Sequence, residues 1–179
     1  MDAEQSILEL KNYRLLPCIG CGKRRDSHRC ALNDDFNNIY IQVIACNLLL
    51  IVSAHYAPIP AKLAALLEKM EQITFLRWGC DNSYKSEVYA KPTGVISHGG
   101  GADLVLKSYK LMVNDTIANA LDTIQLKLIP FNNEWNTGIS LPVRNASFSA
   151  ASIFPSQEYD WEKLSKRISD YMDVLIQNI

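Results

Sequence analysis

Two rhythms of apolar positions alternate along this chain. Three short runs are almost continuously apolar: "NLLLIVSA" at 47–54, "TGVISH" at 93–98 and "IQLKLIPF" at 124–131. Runs of this length suit strands covered on both faces, as in a parallel sheet clad by helices. Between and after them, apolar residues recur every three or four positions, the spacing of an amphipathic helix. One such segment is "FNNIYIQVIAC", starting near Phe36 with Asn33 or Asp34 as its cap. A second follows "HYAPIP", whose Pro58 and Pro60 suit a loop and a first helical turn, and carries Leu63, Leu66, Leu67 and Met70. A third, at 102–122, places Val105, Tyr109, Met112, Ile117, Ala120 and Leu121 on one face. The last, "YDWEKLSKRISDYMDVLIQNI", places Trp161, Leu164, Ile168, Tyr171, Met172 and Leu175 on one face.

Strand–helix alternation of this kind implies parallel strands joined by right-handed crossovers, hence an α/β fold with an open sheet. The alternation in "SILELKNY", residues 6–13, predicts one further strand. Residues 132–156 are polar and aperiodic, and read as an insertion, a flap or a small hairpin within a single domain spanning 1–179. In open α/β sheets ligands bind at the carboxyl ends of the strands. The loops at those ends are "HYAPIP", "SHGGG" and the cysteine-bearing segment at 14–35.

Composition narrows the class without naming a function. Hydrophobic residues make up 48 % and charged residues 21 %, with a net charge of −1. That balance favours neither nucleic acid nor an anionic membrane as partner. The basic cluster Lys23, Arg24, Arg25 and Arg29 is local and reads as a solvated loop. The apolar stretch at 39–60 is broken by Gln42, Asn47, His55 and prolines, too interrupted for a membrane span. The acidic, polar start "MDAEQS" is unlike a signal peptide. Five cysteines are an odd number and too few for a disulfide scaffold, so the expectation is a reduced, cytoplasmic protein. The "NAS" at 145–147 is discounted as a glycosylation site on that ground.

Three quoted segments, in this order, carry a family resemblance: "PCIGCGKRRDSHRCALNDDF", "LLLIVSAHYAPIPAKLAALLEK" and "KPTGVISHGGG". Together they resemble flavodoxin-like NAD(P)H-dependent FMN reductases and the related iron–sulfur flavoproteins, over roughly residues 6–130. The resemblance implies a flavodoxin-like three-layer open parallel sheet. It implies FMN at the strand ends, with the isoalloxazine against Ser53, Ala54, His55, Tyr56 and Ala57 and beside His98, Gly99, Gly100 and Gly101. The residue types agree with that role. Glycines let backbone N–H groups approach a polar ring edge, and an aromatic such as Tyr56 packs on a flat ring. For the glycines the competing reading is a strand-to-helix turn. For His55 and His98 it is a hydrogen-bonded loop histidine, against flavin or substrate contact with proton transfer.

The resemblance also predicts an N-terminally truncated version of the fold. Family members open with a strand, a phosphate-gripping Ser/Thr/Asn-rich loop and a helix, and this chain begins at what corresponds to the second strand. In the family's strand order 2-1-3-4-5 the absent strand is central. Its loss leaves neighbours about 10 Å apart, twice the ~4.8 Å that pairs strands. Residues 6–13 could fill the slot, or residues 139–156, or a strand from another chain. The last is favoured, either a second copy or a full-length homologue. Ala54, His55 and Ala57 depart from the family's loop in the same direction, toward a degenerate subunit.

Cys18, Cys21 and Cys30 lie where iron–sulfur members hold their cluster, but Arg24 stands at a ligand position and cannot bind iron. Cys18, Cys21, His28 and Cys30 would make a Cys₃His zinc set. A thiol made reactive by Lys23 and Arg24 is a second option. Inherited, reduced loop cysteines are the favoured reading, and Cys46 and Cys80 read as core or loop thiols. The function expected from all this is an FMN-binding oxidoreductase that passes hydride from NAD(P)H through flavin to an acceptor, within a homo-oligomer or a heteromer with a full-length flavodoxin-like homologue. The alternative is a non-catalytic subunit of that fold which completes or stabilises a partner flavoprotein. A metal or thiol-redox module built on the cysteine loop ranks third.

Overall fold

The computed structural model describes residues 4–23, 27, 29–56, 58–147 and 156–179. Helix α1 (Phe36–Ala45) leads into β1 (Leu49–Ala54) and α2 (Ala61–Trp78), and then into β2 (Pro92–His98). A chain of helical turns follows: a 3-10 turn at Asp103–Val105, α3 (Leu106–Tyr109), a π-helical segment at Lys110–Asn114 and α4 (Asp115–Ile124). After it come β3 (Lys127–Leu128), β4 (Ile139–Leu141), the hairpin strands β5 (Asn145–Ser147) and β6 (Ser156–Glu158), and α5 (Trp161–Ile176). The main sheet is parallel throughout: β1 pairs β2, and β2 pairs both β3 and β4 on its other edge. Helices cover both faces. Residues of α1, α2 and α4 pack on Ile51 and Val95, while Tyr171 and Leu175 of α5 pack on Ile96 and Ile139. The chain therefore has the parallel α/β architecture its alternation of elements predicts. None of its described helices is long and apolar enough to cross a membrane.

Several expectations need correction. Residues 6–13 form no strand; they hold a 3-10 turn at Leu10–Asn12 against α2, where Lys62 Nζ donates to the carbonyls of Lys11 and Tyr13 at 2.8 and 2.7 Å. Leu8 and Leu10 pack on the core without any ladder, and Ile7 is 82 % exposed. Strand β1 is not covered on both faces, for Val52 is 58 % exposed. The N-cap of α1 is Asp35, with no side-chain cap bond. Asp34 instead accepts from the Phe36 N–H at 3.3 Å and binds Lys69. On α5, Leu164, Tyr171 and Leu175 are buried as expected, whereas Trp161 is 67 % exposed and packs on Tyr159.

The π segment explains another shift. The buried positions there are Tyr109, Val113, Ile117 and Leu121, three successive steps of four residues. A regular helix of 3.6 residues per turn would rotate these off the core. One wide turn absorbs the excess, so Val113 is buried in place of Met112.

The third strand position is split. β3 pairs β2 at Pro92 and Thr93, with the Ile129 N–H still bonded to the Thr93 carbonyl, β4 pairs it from Ile96 to His98, and residues 130–138 leave the sheet between them. This leaves the Val95 N–H without a strand partner. The Tyr171 hydroxyl, fully buried, accepts from it at 3.3 Å and donates to the Ile129 carbonyl at 2.7 Å. Burial pushes the Tyr171 phenol up to about 12, so it stays a donor at any ordinary pH. Tyr171→Phe strands both backbone groups. The expected result is a loss of about 2–3 kcal/mol in urea unfolding, with a loss below 0.5 kcal/mol counting against this role.

Candidate functional site at the carboxyl ends of the strands

Parallel pairing brings the two expected loops together. Ser53 lies opposite Ser97 and Ala54 opposite His98, and the His55 N–H continues the ladder to the His98 carbonyl at 2.8 Å. Ser53 is buried and its hydroxyl donates to the Ala54 carbonyl. Tyr56 is 69 % exposed at the rim, its N–H held by the Pro58 carbonyl at 2.8 Å. Ala57 lies outside the described residues. His98 is half-buried, and burial lowers its pKa, which favours an uncharged imidazole at neutral pH.

The glycines are required by close contact rather than by backbone twist. A Cβ on Gly99 would lie 2.6 Å from the Tyr109 ring and 2.7 Å from its hydroxyl oxygen, and one on Gly101 2.6 Å from the same hydroxyl. A Cβ on Gly100 would meet only the far end of Gln157, on β6, at 2.9 Å. Tyr109 also packs on His55, ring centroids 5.2 Å apart at 35°. The β5–β6 hairpin is thus laid over the glycine loop. The Val143 N–H to the Gly101 carbonyl at 3.0 Å ties it to that loop, and the Arg144 N–H to the Glu158 carbonyl at 2.7 Å joins its own two arms. A hairpin is among the forms expected of residues 132–156; of the 139–156 stretch expected as a possible filler of the central slot, residues 148–155 lie outside the described residues. Tyr109 and Gln157 were not legible as site residues. A tyrosine at helical spacing reads as core, and only the fold brings it to the glycines.

A cavity of about 230 Å³ adjoins the loop, lined by Asp103, Val143, Arg144, Lys163 and Leu164, with Lys163 paired to Asp103 at 3.0 Å. A second, of about 290 Å³, lies between Lys107, Asp115, Glu134 and Trp135. Residues 53–56 and 98–101 line neither. For a flavin, the two loops offer a ring platform: exposed Tyr56 on one side and the glycine backbone on the other. For its phosphate they offer little. The helix that starts here, α2, has Pro60 as N-cap and no side-chain cap.

The cysteines are spread through their loop. Cys30 is buried, its backbone clasped by Asn37 through bonds of 2.7 and 3.0 Å. Cys18 and Cys21 are half-exposed, and Cys21 is flanked by Gly20 and Gly22, whose φ values of 60° and 68° favour glycine. The Gly20 N–H points at the Cys18 sulfur at 3.5 Å, and the Cys18 N–H is held by Glu68. Among the described residues no three His, Cys, Asp or Glu side chains converge as metal ligands, and His28 and Arg24 lie outside them. Cys46 follows α1 and is half-buried, and Cys80 is exposed. No family model, no curated protein and no solved structure matches this chain.

Proposed function

We propose that this chain is a flavodoxin-like FMN-binding oxidoreductase, with the isoalloxazine lying against Ser53–Tyr56 and His98–Gly101. The observation that carries the reading is the juxtaposition of those loops at the carboxyl end of a parallel sheet, the general ligand position of such sheets. When bound, the flavin supplies hydride acceptance from NAD(P)H and electron delivery to an acceptor. The chain's own part is positional. Tyr56 provides an aromatic face, Gly100 a backbone with no side chain of its own and only the flexible end of Gln157 beside it, and the half-buried His98 imidazole, its pKa lowered by burial, can hold a proton at one nitrogen and accept one at the other. The packed Tyr109 and His55 rings support the loop from beneath.

A second reading, a non-catalytic subunit of a flavoprotein, draws on different observations. Tyr109 and Gln157 already fill the space against the glycines, and neither cavity reaches the loop. An FMN titration followed by flavin fluorescence and visible absorbance separates the two. The first reading expects saturable quenching, weakened about tenfold by Tyr56→Ala, roughly one ring contact's worth, and abolished by Gly100→Val. Both sites sit at exposed positions where the fold tolerates change. No quenching up to millimolar FMN, and no NADH or NADPH oxidation, would sink the first reading and leave the second.

A further inference from the structure

We propose that the outer edge of β1 pairs, antiparallel, with the same strand of a second copy of this chain, giving a closed two-fold dimer with one continuous sheet. The inference does not rest on the flavin reading.

It starts from the backbone. β1 is an end strand, bonded on one side to β2 and to no other strand among the described residues. In a strand, successive residues direct their N–H and C=O groups to opposite sides, so every second residue of Leu49–Ala54 points its pair away from β2. Among the described residues, the chain's own candidates for this edge are used elsewhere. Residues 6–13 form a turn on α2, β4 pairs the far side of β2, and β5 pairs β6.

The two edges of the sheet are built in opposite ways. The far edge is blunted: β3 and β4 are two and three residues long, separated by an excursion, with Lys127 and Pro130 at the break. Short strands, lysine and proline are how lone edges avoid pairing. β1 has none of these. It is six residues long, has no proline, and Leu48–Ala54 carries no charge. One competent edge per copy permits a pair and forbids a fibre.

The same asymmetry selects the occupant. Antiparallel pairing is two-fold symmetric, so an edge of this kind is complementary to its own copy, and an uncharged edge meets that copy without repulsion. A dyad perpendicular to the sheet keeps each face continuous. Leu50 lies on the α5 face, where both it and Leu175 crowd Gly94. Val52, two residues on, shares that face with Leu50. Leu48, Leu50, Ile168 and Met172 are only partly buried there. The dyad sets this strip beside its own copy and covers Val52, the exposed apolar side chain of the strand.

Sedimentation velocity from micromolar to near-millimolar protein tests the proposal, together with Val52→Lys, Val52→Thr and amide hydrogen exchange of wild type. Val52 is exposed, so both variants keep the protomer fold, checked by far-UV circular dichroism. The expected result is a wild-type dimer, retained by Val52→Thr. Val52→Lys should weaken it at least about a hundredfold, since it brings a like charge from each copy into a seam that is otherwise uncharged and apolar. Amides of Leu49–Ala54 should exchange more slowly as concentration rises, a readout that needs no variant. A wild type monomeric throughout the range overturns the proposal. So does a dimer indifferent to Val52→Lys, or one whose β1 amides ignore concentration, because either places the interface elsewhere.

Discussion

Lys69→Met is expected to lower stability by about 3–5 kcal/mol, a large part of the roughly 5–15 kcal/mol that holds a domain together. The Lys69 and Asp34 side chains are buried and bonded to one another. Asp34 also accepts the Leu16 N–H at 2.9 Å and the Phe36 N–H at 3.3 Å, and the Lys69 ammonium sits 5.5 Å from the centre of the Phe36 ring. One carboxylate thus pins the cysteine-bearing segment and the start of α1 to the middle of α2. Removing the lysine strands a carboxylate in the core. Introducing Asp34→Asn beside it relieves the charge and keeps an acceptor, so the double variant should be more stable than Lys69→Met alone, as a double-mutant cycle in urea measures. A cost under about 1 kcal/mol for Lys69→Met would refute the assignment.

The same pair predicts a pH dependence. Burial alone would raise the Asp34 pKa, but the bonds from Lys69 and the two backbone N–H groups outweigh it, and the net direction is down. With the folded pKa below the unfolded value near ~3.9, the contribution is complete above about pH 4 and is lost as pH falls through the folded pKa. Asp34→Asn should flatten the acid limb of stability against pH below about 4 and leave the neutral limb's slope alone.

Gly138→Ala is expected to disrupt the sheet at its split, with a loss of at least about 3 kcal/mol and disturbed β2–β4 pairing. Gly138 has φ of 104°, a conformation L side chains rarely adopt. A Cβ there would sit 2.1 Å from the Val95 carbonyl oxygen, which belongs to the central strand and cannot move aside. The adjoining residues show what is at stake. Ile139 begins β4, its carbonyl accepts from the buried Asn114 amide at 3.1 Å, and Ser140 shares a 2.7 Å hydroxyl bond with Ser97. Chemical-shift changes confined to residues near 138, with unaltered unfolding, would show that the loop gives way and the strain argument fails. A control at Gly100, where a Cβ meets only a flexible amide, should cost little.

The sequence is legible where the information is local. "TGVISH" became a strand with five consecutive buried residues, Thr93–Ser97, because an apolar run in a central strand has no solvent face to alternate toward. The start of α1 at Phe36, the Pro60–Ala61 entry to α2 and the long final helix followed from periodicity and punctuation. The loops carrying Ser53–Tyr56 and His98–Gly101 were placed at strand ends, and pairing of consecutive parallel strands put them side by side. "SILELKNY" misled because alternation is a strand signal only where a neighbour offers a ladder, and here α2 offers lysine to its carbonyls instead.

What the chain determined by itself was therefore the sequence of elements and the end of the sheet at which the loops carrying Ser53–Tyr56 and His98–Gly101 meet, since both follow from hydrophobic period and from parallel connection. Tertiary structure alone decided the rest. It placed Tyr109 against the glycines, filled the notch in the third strand with the Tyr171 hydroxyl, buried Lys69 on Asp34 and, among the described residues, paired β1 on one side only. Each of these joins residues far apart in the chain. Such contacts depend on which backbone groups and charges lack a nearer partner, a quantity that exists only once the chain has closed on itself.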